Sequence, residues 1–121
     1  MTREINADEL EKLIEETKIL IVDFSAVWCG PCKSLGKTLE KKVEPKLEEM
    51  DDVDIVKIDI DKNRELAQSL NIKGVPTMMF FVEGKKVVFD TDRGQEDRIV
   101  GALPNIDEVI FKFIEETKKN L

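Results

Sequence analysis

Residues 19–24, Ile19-Leu20-Ile21-Val22-Asp23-Phe24, form an apolar run broken only by Asp23. A strand with one wet face alternates apolar and polar side chains, so a run without alternation reads as a strand covered on both faces. Residues 53–60 read as a second strand of the same kind. Between them Leu35, Leu39, Val43 and Leu47 recur at helical spacing, and Pro45, which lacks an N–H, should kink or interrupt that helix. Parallel strands joined through helices imply a mixed sheet with helices on both faces.

The remaining elements complete this outline. Asn6 with Glu9 three residues on forms a capping box for a helix carrying Leu10, Leu13 and Ile14 to about Thr17. A short helix over residues 63–70 turns Leu66, Ala67 and Leu70 inward. Residues 77–82 and 86–89 flank Glu83-Gly84-Lys85, a hairpin signal that makes the last strands antiparallel. Asn105 should cap a final helix whose Ile106, Val109, Ile110, Phe113 and Ile114 form one apolar stripe. No repeat, linker or low-complexity tract divides the chain, and 121 residues suit a single domain, residues 1–121, with a real hydrophobic core.

The 19 basic and 26 acidic side chains leave a formal charge of −7, spread along the whole length. Such a surface repels phosphate backbones, and there is no basic cluster, lipidation signal or long apolar stretch. Nucleic acid and membranes are therefore not expected partners. The N-terminal residues lack the apolar core and cleavage site of a secretory signal, so the expected compartment is the cytoplasm. Thiols there stay reduced unless a disulfide belongs to a catalytic cycle.

That expectation gives weight to Trp28-Cys29-Gly30-Pro31-Cys32. Two thiols separated by two residues at the start of a helix lie within one turn and can close a small disulfide with little backbone motion. Cys29 would sit at the unpaired amides and positive dipole end, which favour thiolate over thiol, so it is the expected nucleophile. Cys32, inside the helix and less exposed, is the expected resolving thiol. Gly30 removes a side chain from the contact surface, and Pro31 fixes a helical φ where no N–H is needed.

The run from Trp28 to Lys33 resembles the thioredoxin active site, and Val75-Pro76-Thr77 resembles that family's cis-proline loop. Asp23, Lys57 in Val56-Lys57-Ile58-Asp59, Gly84 and Gly101-Ala102 extend the resemblance over nearly the whole chain. It implies a thioredoxin fold, a three-layer α/β/α arrangement of about five strands and four helices. It further implies a buried Asp23 of raised pKa that accepts the Cys32 proton beside Lys57. Pro76 would be cis and face the sulfurs, with the Val75 backbone pairing to an extended substrate and Trp28 forming an apolar contact surface. The implied activity is reduction of protein disulfides by a monomer reloaded by a thioredoxin reductase, without metal or cofactor.

Some residues depart from the family pattern. Ser25 stands where many thioredoxins carry a second tryptophan, and the long helix has Lys37, its proline displaced to Pro45. The chain between Gly84 and Gly101 is also longer, and residues 90–98 are too polar for the core, so they should extend or loop out. These differences leave the chemistry intact and bear on partner choice. Among competing readings, a structural zinc site lacks ligands, since there is no histidine and no third cysteine. An inert disulfide would close too small a loop to stabilise much. A partner-binding subunit with incidental thiols, or a disulfide isomerase or oxidant, stand as the alternatives.

Overall fold

In the computed structural model, which describes residues 2–121, the run that began the sequence reading becomes the centre of the molecule. The elements in chain order are β1 (Arg3–Glu4), α1 (Ala7–Glu16), β2 (Ile19–Ser25), α2 (Gly30–Thr38) and α3 (Glu44–Leu47), then β3 (Val53–Asp59), α4 (Arg64–Ser69) and β4 (Thr77–Val82). They are followed by β5 (Lys85–Lys86), β6 (Phe89–Thr91), β7 (Gly94–Glu96), β8 (Ile99–Val100) and α5 (Ile106–Lys119). The main sheet has the order β1-β3-β2-β4-β5, with β8 also paired to β4. β1 and β2 run parallel to β3, whereas β4 is antiparallel to β2. This is the thioredoxin fold, and no helix among the described residues is long and apolar enough to cross a membrane.

Every residue of β2 is buried, as an unalternating run requires. Because successive side chains point to opposite faces, Ile19 and Ile21 pack with Leu35, Leu39, Val43, Ile106, Ile110 and Ile114 under α2 and α5. Leu20, Val22 and Phe24 pack on the other face with Leu10, Leu13, Ile14 and Leu66 from α1 and α4. Asp23 falls on the α2 face, which decides what it meets.

Pro45 interrupts the long helix by a change of hydrogen-bond pattern. The chain passes from α2 through a π-helical turn at Leu39–Val43, and Pro45 then lies in the first turn of α3, where a missing N–H leaves no bond unmade. Leu39 and Val43 remain fully buried.

Of the two expected asparagine caps, one forms. Asn6 Oδ1 accepts from the Glu9 amide (3.1 Å) and Glu9 Oε1 accepts from the Asn6 amide (3.2 Å). Asn105, at φ −108° and ψ 30°, lies outside the extended conformation from which a cap oxygen reaches the helix amides, and makes no cap bond. Asn63, which precedes α4, is likewise non-extended and joins other elements instead. Its Oδ1 accepts from the Ala7 amide (2.9 Å), and its Nδ2 donates to the Asp59 carbonyl (2.9 Å).

The outer edge of β4 differs most from expectation. The hairpin turn is tighter than Glu83-Gly84-Lys85, because Glu83 (φ 50°) and Gly84 (φ 82°) make the turn alone and Lys85 already pairs with Val82. Moving four residues back along β4, from Val82 to Met78, moves fourteen along the edge, from Lys85 to Ile99. Ten residues are therefore inserted within what would be one edge strand, and they fold out as the separate β6–β7 hairpin. Phe89 anchors its base against the rings of Phe80 and Phe113, with centroids at 5.4 and 6.0 Å. Asp97 pairs with Lys86 (2.9 Å) and Arg98 (2.7 Å), whose hydrogen bonds hold its carboxyl well below the usual range.

Residues 90–96 are all exposed, so the hairpin tip should contribute little to folding. Phe89 faces Glu96 across it, and replacing residues 90–95 by Asn-Gly would join this pair through a two-residue turn. We expect a change of less than about 1 kcal/mol in urea unfolding, because loop-closure entropy varies slowly with length. Phe89→Ala, which opens the aromatic cluster, should instead cost about 2–3 kcal/mol. A large loss from the shortened tip would show that it is part of the folding unit.

Candidate active site

β2 ends at the carboxyl edge of the sheet, and the chain turns there into α2, aided by the Cys29 amide donating to the Ala26 carbonyl (3.2 Å). Cys29 is the extended N-cap residue, and its Sγ accepts from the Cys32 amide (3.1 Å). Gly30 and Pro31 follow in the first helical turn, where Pro31 loses no bond. Cys29 and Cys32 form a disulfide, with Cα atoms 5.2 Å apart.

Burial does not separate the two cysteines as expected: Cys29 is 5% exposed and Cys32 6%. Cys29 is covered because its capping sulfur folds onto the Cys32 amide and packs near Ala26 and Val75. Surroundings separate them instead. The Cys29 Sγ lies 3.6 Å from the Val75 carbonyl oxygen, beside the exposed Val27 and Trp28, whereas Cys32 lines a cavity.

The Val75-Pro76 peptide is cis. Its loop is held by the Thr77 hydroxyl donating to the Gly74 carbonyl (2.7 Å) and the Gly101 amide donating to the Pro76 carbonyl (2.8 Å). Gly101 has φ 97°, a conformation that favours glycine.

Beneath Cys32 the cavity, of about 320 Å³, is lined among others by Asp23, Lys57, Ser25 and Lys37. Asp23 and Lys57 face each other across β2 and β3. Burial raises the Asp23 pKa from 3.8 to about 7 despite the opposing Lys57 charge, and Asp23 Oδ1 has no hydrogen-bond partner. Ser25 and Lys37, two of the departures noted in the sequence, thus both line the cavity that holds the buried acid. A serine in the place of a tryptophan leaves room on this wall.

Trp28 is 66% exposed, but its Nε1 donates to Asp61 Oδ2 (2.7 Å). Asp59 supports this contact by accepting from the Asp61 amide (2.8 Å). Sequence reasoning missed both acids, although they end the buried strand beside β2 and so reach the same sheet edge. Thr2, on the cavity wall, was missed too.

A thiolate at a helix terminus is both the product of reducing this disulfide and the species that attacks the next one, so opening and closing the Cys29–Cys32 bond is the reaction the geometry favours. That defines a thiol-disulfide oxidoreductase. The Thioredoxin family model matches residues 1–105. A thioredoxin of Mycoplasmoides gallisepticum is 40% identical over 66% of this chain and 76% of its own. A thioredoxin H-type 2 of Nicotiana tabacum is 32% identical over 91% and 83%. The solved structure of a Malassezia sympodialis thioredoxin is similar with TM-score 0.71 and 28% identity, covering 93% of this chain and 89% of that one. The chain belongs to the thioredoxin family, and its Cys29/Cys32 dithiol is that of a protein-disulfide reductase.

Proposed function

We propose that the protein is a monomeric cytoplasmic electron carrier, reloaded by a thioredoxin reductase, that delivers two electrons at a time to disulfides of other proteins. The observation that carries this reading is the placement of Cys29 as an N-cap sulfur that receives the Cys32 amide at 3.1 Å. In the reduced protein that amide and the helix dipole stabilise the Cys29 thiolate.

The Cys29 thiolate attacks a substrate disulfide, forming a mixed disulfide and releasing one substrate thiolate. Cys32 gives its proton to the Asp23 carboxylate and attacks the Cys29 sulfur, which closes the internal disulfide and releases the second substrate thiolate. An acid with pKa about 7 is matched to taking this proton near neutrality, and Lys57 beside it offsets the charge on Asp23. Val75 offers its backbone to an extended substrate segment, with Pro76 holding the cis turn and Trp28 adding an apolar face. Gly30 leaves room for the approach, and Pro31 keeps the turn rigid.

Dithiothreitol-driven reduction of insulin, combined with a measured reduction potential, tests the reading. We expect turnover and a potential on the reducing side of disulfide isomerases. A strongly oxidising potential would favour the oxidant or isomerase alternative, and absent turnover with intact thiols would favour the partner-binding one.

A further inference from the structure

Three charged residues stand in one row across the sheet. Glu4 of β1 is in register with Lys57 of β3, and Lys57 with Asp23 of β2. Residues directly opposite on neighbouring strands share a face, with Cβ atoms about 5 Å apart, so Lys57 has an acid on either side. The Ile5 amide donating to the Lys57 carbonyl (2.9 Å) and the Arg3–Asp54 ion pair (2.9 Å) fix β1 in this register. The row runs inward from solvent: Glu4 is exposed, Lys57 half-buried and Asp23 buried.

Lys57 closes an ion pair with neither acid among the described residues, so its ammonium is locked to neither side. Glu4 Oε2 meets Lys62 instead (3.2 Å), in an exposed pair that solvent leaves loosely held. We propose that Glu4 is a positioning residue that acts on Asp23 through Lys57, its carboxylate competing with Asp23 for the one ammonium between them. Its use rests on the reading of Asp23 as proton acceptor. By drawing Lys57 outward, Glu4 withdraws support from the Asp23 carboxylate and makes it the stronger base for the Cys32 proton. Once that proton has arrived and Asp23 is neutral, Glu4 supplies the counter-charge that Lys57 has lost.

Glu4→Gln keeps the side-chain shape and removes the charge. The other charged groups lining the Asp23 cavity are unchanged: Asp59 from β3, and Lys33, Lys37 and Glu40 from the long helix. On its β4 side Asp23 meets the uncharged Met78. The test follows the Asp23 carboxyl by ¹³C NMR titration in the oxidised protein, where no thiol titrates. With Lys57 left to Asp23 alone, Glu4→Gln should move the midpoint down by about half a unit, raising the ionised fraction at pH 7 from about one half to about three quarters. In a Lys57→Met background the same change should move the midpoint less than roughly half as far, because the ammonium that links the two acids is gone. Lys57→Gln repeats that comparison should Lys57→Met fail to fold. An unmoved midpoint in Glu4→Gln overturns the proposal, and so does a shift undiminished without Lys57, which direct repulsion between the two acids would give. The acceptor reading is judged separately by the rate of mixed-disulfide resolution in Asp23→Asn, which does not enter this titration.

Discussion

Cys32→Ser will accumulate a covalent adduct with an oxidised protein substrate, whereas Cys29→Ser will form none and lose essentially all reductase activity. The expectation rests on where each sulfur stands. Cys29 caps α2 beside the Val75 carbonyl and the exposed Val27 and Trp28, the surface proposed above for an incoming substrate. Cys32 faces inward, toward the cavity that holds Asp23. Without Cys32 the first exchange still proceeds, and the mixed disulfide has no internal thiol to resolve it. Serine is itself a good N-cap residue, so Cys29→Ser should keep the α2 terminus and unfold within about 1 kcal/mol of the reduced parent. Loss of activity would then reflect lost chemistry. Intact-mass measurement after exposure to oxidised substrate reads the adduct; trapping by Cys29→Ser in place of Cys32→Ser would reverse the roles.

How far the sequence could be read depended on the range of each interaction. The burial of β2, the stripe of α5 and the Asn6–Glu9 box are properties of neighbouring residues, and all are found in the structure. The dithiol motif is equally local, so its place at a helix terminus was legible. The ten-residue insertion was visible as surplus length, but only the pairing of Met78 with Ile99 reveals that it divides an edge strand. Asn63 reads as the start of its own short helix, yet its side chain is claimed by Ala7 and Asp59. Trp28 and Asp61, 33 residues apart, and Thr2 on the same cavity as Asp23 depend on which strands become neighbours. Such meetings belong to topology, which periodicity does not encode.

Asp23→Asn should have the second large effect, on stability and on one kinetic step. In the folded protein the Asp23 carboxyl titrates near 7, above its ordinary value of 3.8, because burial opposes its charge. Between those values the folded state holds a proton that the unfolded state has released, so unfolding free energy falls as pH rises through this window. Below about pH 4 both states are protonated and nothing is lost; above about pH 7 the loss is complete, on the order of 4 kcal/mol for a shift of this size. Asparagine has nearly the same shape and does not titrate. The variant's stability advantage should therefore be small at pH 4, grow toward pH 7 and level off beyond it, in urea unfolding of the oxidised proteins. A constant difference across that range would mean that Asp23 carries no raised pKa.

The same substitution removes the proposed acceptor for the Cys32 proton while leaving the Cys29 terminus untouched. Attack on substrate should proceed near the parental rate, and resolution of the mixed disulfide at pH 7 should slow by roughly 10- to 100-fold, the scale of a lost general base. Trp28 is the single tryptophan and sits beside Cys29, so its fluorescence in stopped flow reports both steps. The two readouts are independent, because the stability profile tests burial of the charge and the kinetic split tests its use. Equal resolution rates in variant and parent, with the stability profile as expected, would leave Asp23 a buried acid with no part in proton transfer.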